Sequence, residues 1–213
     1  MEGPLELRNL SAGYGPRTAI RDLSARLPRG RISAVLGPGA SGKSTLLRVL
    51  EGSTPPDLWW TGEIPSVEAW RLPQPRRGVA ELDDLAEAAE QLERWASEAG
   101  MDFSVLRQEL LTQPAMLARL GRIVASKAEL LLLDEPDAGA YDQDLSALTL
   151  VLRDLSMRGQ TVLLVTHNLG LANRLADHLL LLVDGDKLDE GPPSRVRSNP
   201  SCARARDLLT WGG

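Results

Sequence analysis

Apolar residues fall in blocks along this chain rather than in a single period. LLLL at 130–133, TVLLV at 161–165 and LLLLV at 179–183 are apolar at nearly every position, and ISAVL at 32–36 is of the same kind. A strand that alternates polar and apolar residues wets one face, whereas an unbroken apolar run is buried on both. The intervening stretches near 143–157 and 169–176 have helical spacing. Buried strands that alternate with helices predict a mostly parallel sheet covered by helices.

The first hundred residues read differently. Leu5–Leu10 and Ala19–Leu27 are expected as strands joined by a turn at SAGYGP, with Pro28-Arg29-Gly30 as the next turn. KSTLLRVLE at 43–51 puts Leu46, Leu47 and Leu50 on one helical side, with Gly52 as its C-cap. STPPDLWWTG at 53–62 is expected as a loop, and AWRLPQPRRG at 69–78 as a strand running into a Pro-rich turn. DDLAEAAEQLERWASEAG then spaces Leu85, Ala88, Ala89, Leu92 and Trp95 as one amphipathic helix of an inserted helical subdomain, with a second helix over 115–126.

Composition narrows the class. The 213 residues, 43% hydrophobic and 25% charged, suffice for one main core with an inserted subdomain. No apolar run approaches the ~18–20 residues that cross a bilayer. MEGPLELRNL lacks the basic and then apolar order of a secretory leader, so the chain is expected to stay in the cytoplasm. A single cysteine, Cys202, excludes an internal disulfide and a cysteine metal cluster. The net charge of −5 argues against a nucleic-acid partner, and Arg195, Arg197, Arg204 and Arg206 in the tail read as a solvated face.

The chemistry concentrates at three strand ends. GPGASGKST, from Gly37 through Pro38, Gly39, Ala40, Ser41, Gly42, Lys43 and Ser44 to Thr45, fits G-x-x-x-x-G-K-[ST] between an expected strand and an expected helix. Glycines let backbone N–H groups close around phosphates, and the helix start presents its positive end to the same anion. Lys43 reaches the β- and γ-phosphates as a point charge, and the Ser44 hydroxyl can ligate Mg²⁺. In LLLLDEP, Asp134 would face the metal and Glu135 would orient or deprotonate the attacking water. His167 follows TVLLVT at the same carboxyl edge of the sheet, where the ligands of such folds bind.

Together GPGASGKST, LLLLDEP and LLVTHN resemble the nucleotide-binding subunit of an ATP-binding cassette (ABC) transporter, over nearly the whole chain. The resemblance implies an α/β P-loop NTPase with a mostly parallel sheet, an N-terminal antiparallel β part and a small inserted helical subdomain. It implies ATP and Mg²⁺ as cofactors, a membrane permease as partner and a peripheral place on the cytoplasmic face. By the same resemblance Tyr14 matches the aromatic residue that stacks on adenine, though Tyr14 alone also fits an ordinary turn tyrosine. Gln74 matches the glutamine linking the metal site to the helical subdomain, and a solvent-facing glutamine beside two prolines is its alternative. Glu135 matches the catalytic glutamate and His167 the switch histidine. GSTPPDLWWTGEI and the chain's ending are similar to importers of oligopeptides, dipeptides or nickel.

The resemblance also exposes departures. Residues 110–114, LLTQP, fall where the family carries Leu-Ser-Gly-Gly-Gln, which caps the γ-phosphate bound by the other subunit of a dimer. Leu111 takes the serine slot, Thr112 and Gln113 the glycine slots, and Pro114 has no N–H to donate; a one-residue shift would restore Thr112 as a hydroxyl donor but still give no glycine. In DEPDAGAYD, Tyr141 stands where the family usually has an aspartate, with Asp142 adjacent. The chain's own phosphate loop is intact, but what it offers a partner's nucleotide is impaired. The expected assembly is therefore a heterodimer with a second ABC ATPase of intact signature. The expected division is 1–73 for the β part and phosphate-loop half, 74–120 for the helical subdomain, 121–191 for the second half of the core and 192–213 for the tail. A regulatory subunit with negligible turnover and a soluble non-transport relative are the competing functions.

Overall fold

The computed structural model describes residues 3–53, 55–74, 85–104, 110, 113–140 and 142–211, with side chains of 142–144 and 211 left aside. Strand β1, Leu5–Tyr14, pairs antiparallel with β2, Arg17–Leu27, and the next strand, β3, is Ile32–Leu36. Helix α1 is Lys43–Glu51, followed by β4, Leu58–Glu63, and β5, Ala69–Leu72. Helices α2, Leu85–Glu98, and α3, Pro114–Ala125, precede β6, Leu130–Asp134. Then come α4, Asp142–Met157, β7, Thr161–Val165, α5, Leu169–Leu175, and β8, His178–Val183. β9, Asp186–Gly191, and helices α6, Pro193–Ser198, and α7, Ala203–Trp211, follow.

The strands form two sheets. One is antiparallel in the order β2-β1-β4, and the other is six-stranded in the order β5-β6-β7-β3-β8-β9. Within the second, β5 to β8 run parallel and only β9 is antiparallel. Every residue of β3, β6 and β7 is buried, as their unbroken apolar runs require.

Two local expectations need correction. The turn lies at Gly15-Pro16, not across SAGYGP, because β1 continues to Tyr14. Gly13 allows this: a Cβ there would lie 2.2 Å from the Arg17 carbonyl, so only glycine lets β2 close on β1 at that point. Likewise the second half of the expected loop at 53–62 is strand β4, whose Trp59 and Trp60 sit opposite Gly13 and Ala12. That pairing is a tertiary event, and nothing in the local period of PPDLWW announces it.

Helix α2 buries Ala88, Leu92, Trp95 and Ala96, and these meet α3 where Gly121 leaves no room for a side chain. Leu92, Trp95, Leu117 and Leu120 join Leu131, Leu133 and Leu164 of the sheet in one buried cluster. Trp95 Nε1 donates to Asp154 Oδ2 at 2.7 Å, a further tie to α4.

The last segment forms two helices. Val196 and Ala205 are buried against Leu179 and Leu181, while Arg197, Arg204 and Arg206 stay exposed, as a solvated face requires. Arg195 instead pairs with the buried Asp189 at 2.6 Å.

Glu190 on β9 knits three strands. It meets His178 Nε2 at 3.2 Å, Lys187 Nζ at 2.8 Å and the Arg26 backbone N–H at 2.6 Å. Burial alone would raise its carboxyl, but these donors outweigh it and hold the group at about 2, below its ordinary 4.5. A depressed carboxylate stabilises the fold above its unfolded value and loses that contribution as pH falls toward the folded value. The carboxylate is partly exposed, so Glu190→Gln should cost about 1–2 kcal/mol at pH 7, discounted for solvent screening. Thermal unfolding followed against pH should show the gap between wild type and variant closing as pH drops from 4.5 toward 2.

Candidate active site

The apolar β3 ends at Leu36, and the chain turns at once into Gly37. A Cβ on Gly37 would lie 1.9 Å from the Leu182 carbonyl, so the loop leaves the sheet pressed against β8. Ala40 has φ 60° and Gly42 φ 100°, which bends the backbone into a concave loop before α1 begins at Lys43. Gly39 has nothing within 4 Å of its Cβ position, so the loop is open at that point. Its backbone amides and the start of α1 form a ready anion site.

Lys43 is 5% exposed, and its Nζ donates to the carbonyls of Gly37 at 2.8 Å and Pro38 at 2.7 Å. Burial pushes this amine below its ordinary value, and the nearby Glu135 and Asp134 pull it back toward the charged form. The Ser44 hydroxyl meets Asp134 Oδ1 at 3.3 Å. Asp134 itself is 2% exposed at the end of β6, and Thr45 and Ser41 are buried in the loop.

Glu135 follows with φ 49°, and its N–H bonds the Val165 carbonyl at 2.9 Å. Its side chain meets two groups from other strand ends. Oε1 lies 2.6 Å from His167 Nε2, and Oε2 accepts from the Gln74 amide. Gln74 thus meets the glutamate while remaining exposed.

These groups surround a cleft of about 850 Å³ whose walls include Tyr14, Gly39 to Thr45, Gln74, Glu135 and His167. Gly37, Pro38 and Asp134 are not on its wall. Tyr14 accepts a hydrogen bond from Arg48 Nη1 at 2.6 Å, and that guanidinium lies 5.8 Å from the ring centroid. The aromatic ring is thereby held at the cleft by α1.

Three residues at the site were missed from the sequence. Asp137 accepts from the Thr166 hydroxyl at 2.9 Å, and burial and Glu135 raise its carboxyl while Thr166 and His167 oppose the rise. Arg119 of α3 donates to the carbonyls of Pro136 and Ala138, tying that helix to the loop after Glu135. Arg71 pairs with Asp134. Asp137, a third acid within DEPD, was the one signal visible in advance.

Of the partner-facing departures, Leu111, Thr112 and Tyr141 lie outside the described residues, as does the Asp142 side chain. Leu110 is buried, and α3 starts at Pro114 with Gln113 as its N-cap and no side-chain cap.

The family model described as "ABC transporter" matches residues 20–138, more than half of the chain. The chain belongs to the ABC transporter family. An aliphatic sulfonates import ATP-binding protein of Corynebacterium glutamicum is 33% identical, with 96% of this chain and 92% of that protein covered. A glutamine transport ATP-binding protein of Escherichia coli is 28% identical, with 96% and 98% covered. Among solved structures, a nucleotide-free ATP-binding cassette from an ABC transporter superposes with a TM-score of 0.71 at 17% identity, covering 97% of this chain and 98% of that one. The ADP conformation of another such cassette also reaches 0.71, at 20% identity, with 96% and 98% covered. These likenesses show the P-loop ATPase fold. As a member of the ABC family the chain is an ATP-binding transporter ATPase, and no described helix is long and apolar enough to cross a membrane.

Proposed function

We propose that the cleft binds Mg-ATP and that its hydrolysis energises translocation of a substrate, in the direction of import, through a membrane permease on whose cytoplasmic face the chain sits. The observation that carries the hydrolytic reading is Glu135: its carboxylate is gripped by His167 and Gln74 at the mouth of the phosphate loop. A base held on both oxygens by groups from two other strand ends is oriented before substrate arrives.

The roles divide by geometry. The Gly37–Thr45 backbone and Lys43 cradle the phosphates, with Lys43 exchanging its two carbonyl contacts for phosphate oxygens. Tyr14 supports the adenine. Glu135 orients and deprotonates the attacking water, and His167 holds Glu135 and meets the γ-phosphate edge. Ser44 and Asp134 offer two hard oxygens 3.3 Å apart, a donor pair that suits Mg²⁺ completed by phosphates and water, with Gln74 near by. The ion would supply charge neutralisation on the β- and γ-phosphates.

The finer proposal is an asymmetric ATPase dimer. LLTQP lacks the glycines of the signature and has Leu111 in its serine slot, so two copies of this chain would make two impaired composite sites. Pairing with a second ATPase of intact signature would leave one competent site, built on this chain's Lys43, Asp134 and Glu135. The same substitutions favour a second reading, a regulatory subunit that binds ATP with negligible turnover. The relatives named above carry aliphatic sulfonates and glutamine, so family membership does not choose the cargo.

Sedimentation of the purified chain with ATP and Mg²⁺ tests the assembly. It should stay monomeric and turn over slowly, and it should recover with a permease and a second ATPase when pulled from its own cells in mild detergent. An ATP-dependent homodimer with robust hydrolysis would sink the asymmetric reading.

A further inference from the structure

β5 carries one charged side chain into the floor of the site. Arg71 donates Nη2 to Asp134 Oδ2 at 3.0 Å and Nη1 to Glu51 Oε2 at 3.3 Å, and its side chain is only 11% exposed. Its Nε is buried with no hydrogen-bond partner. A guanidinium that leaves a buried donor unanswered is held in place by its other bonds, here by two carboxylates from α1 and β6. Asp134 is consequently divided, with Oδ1 toward the Ser44 hydroxyl and Oδ2 on Arg71.

We propose that Arg71 is a positioning residue that weakens and tunes the grip of the site on its divalent cation. The inference rests on reading Ser44 and Asp134 as the metal-facing pair. Arginine keeps its charge at any physiological pH, so the opposition to a second cation beside Asp134 is permanent. In a buried setting that opposition is felt far more strongly than in water. Arg71 also withdraws one of the two oxygens with which the buried Asp134 would bind metal. Glu51 moderates the effect, because it shares the guanidinium charge from the other side. Arg71 lies three residues before Gln74 on the same strand exit, so the clamp also fixes where the chain leaves β5 toward Glu135.

The test measures binding rather than turnover. A fluorescent adenine nucleotide is titrated onto the full chain across Mg²⁺ concentrations, with an EDTA baseline, for wild type and for Arg71→Met, Arg71→Lys, Glu51→Gln and Asp134→Asn. The Mg²⁺ concentration giving half of the metal-dependent gain in affinity should fall about fivefold to tenfold in Arg71→Met, as expected when a neighbouring like charge is removed. It should stay near wild type in Arg71→Lys, which keeps the charge, and rise in Glu51→Gln, which leaves Asp134 to answer Arg71 alone. If Arg71→Met loses its fold by circular dichroism, Glu51→Gln decides: an unchanged or lower midpoint overturns the proposal. An unchanged midpoint in folded Arg71→Met, with Mg²⁺ dependence still lost in Asp134→Asn, overturns the role of Arg71 and leaves the metal pair standing. Indifference of wild type and Asp134→Asn alike to Mg²⁺ overturns both.

Discussion

Glu135→Gln should abolish turnover and leave nucleotide binding in place. The substitution keeps the shape and the acceptor for His167 but removes the basic oxygen, so the water loses its proton acceptor while the phosphate loop is untouched. General-base contributions run to about 10²–10⁴ in rate, and a loss of at least two orders of magnitude is expected in phosphate release by the assembled transporter. Affinity for ATP, measured by equilibrium binding, should change by less than about threefold, because Lys43, Ser44 and the loop amides supply that energy. Transport should collapse with turnover if this chain's site is the competent one. If transport persists in Glu135→Gln, the regulatory reading replaces the catalytic one. Separation of binding from turnover is what tells a base from a structural carboxylate, since losing a purely structural contact would weaken both.

Gly37→Ala should damage the site and the fold together, and Gly39→Ala the site alone. At Gly37 the new Cβ would fall 1.9 Å from the Leu182 carbonyl and 2.7 Å from Ser41 Oγ, and the first of these is backbone that cannot swing aside. The loop must lift off β8 at the point where it leaves the sheet. Overpacking of this kind costs about 3 kcal/mol, or roughly 6–12 °C in Tm for a chain of this size, and nucleotide binding should fall below detection at micromolar concentrations. Gly39 has free space within 4 Å, so its alanine variant should melt like wild type. Any loss of ATP affinity in Gly39→Ala then measures the room the phosphates themselves need. Equal melting of the two variants in differential scanning calorimetry would contradict the geometry at Gly37.

The two predictions show where the sequence was legible. The loop glycines, Asp134, Glu135 and His167 could be named in advance because they follow apolar strands, with Lys43 and Ser44 opening the helix after the loop, and an unbroken apolar run can go only into the middle of a covered sheet. A parallel sheet aligns those ends on one edge, so strand-end chemistry converges without any knowledge of strand order. Gln74 was a harder case: its reach to Glu135 depends on β5 lying beside β6, which no local pattern states.

What stayed hidden has a common cause. β4 was read as a loop because an edge strand borrows its hydrogen bonds from β1, and such long-range pairing is decided by the partner's position. Arg71 and Arg119 drew no reading in advance, since burial of a guanidinium is settled only by whether carboxylates or carbonyls from distant segments come to meet it. The tail helices were likewise drawn onto β8 and β9 by Val196 and Ala205. By itself the sequence determined the fold class, the phosphate loop and the acids of the site, because these follow from local period and local backbone need. The tertiary structure alone decided which oxygen of Asp134 meets Ser44 and which meets Arg71, what grips Glu135 and what holds Tyr14 at the cleft, because each is a contact between segments that only the closed sheet brings within hydrogen-bond reach.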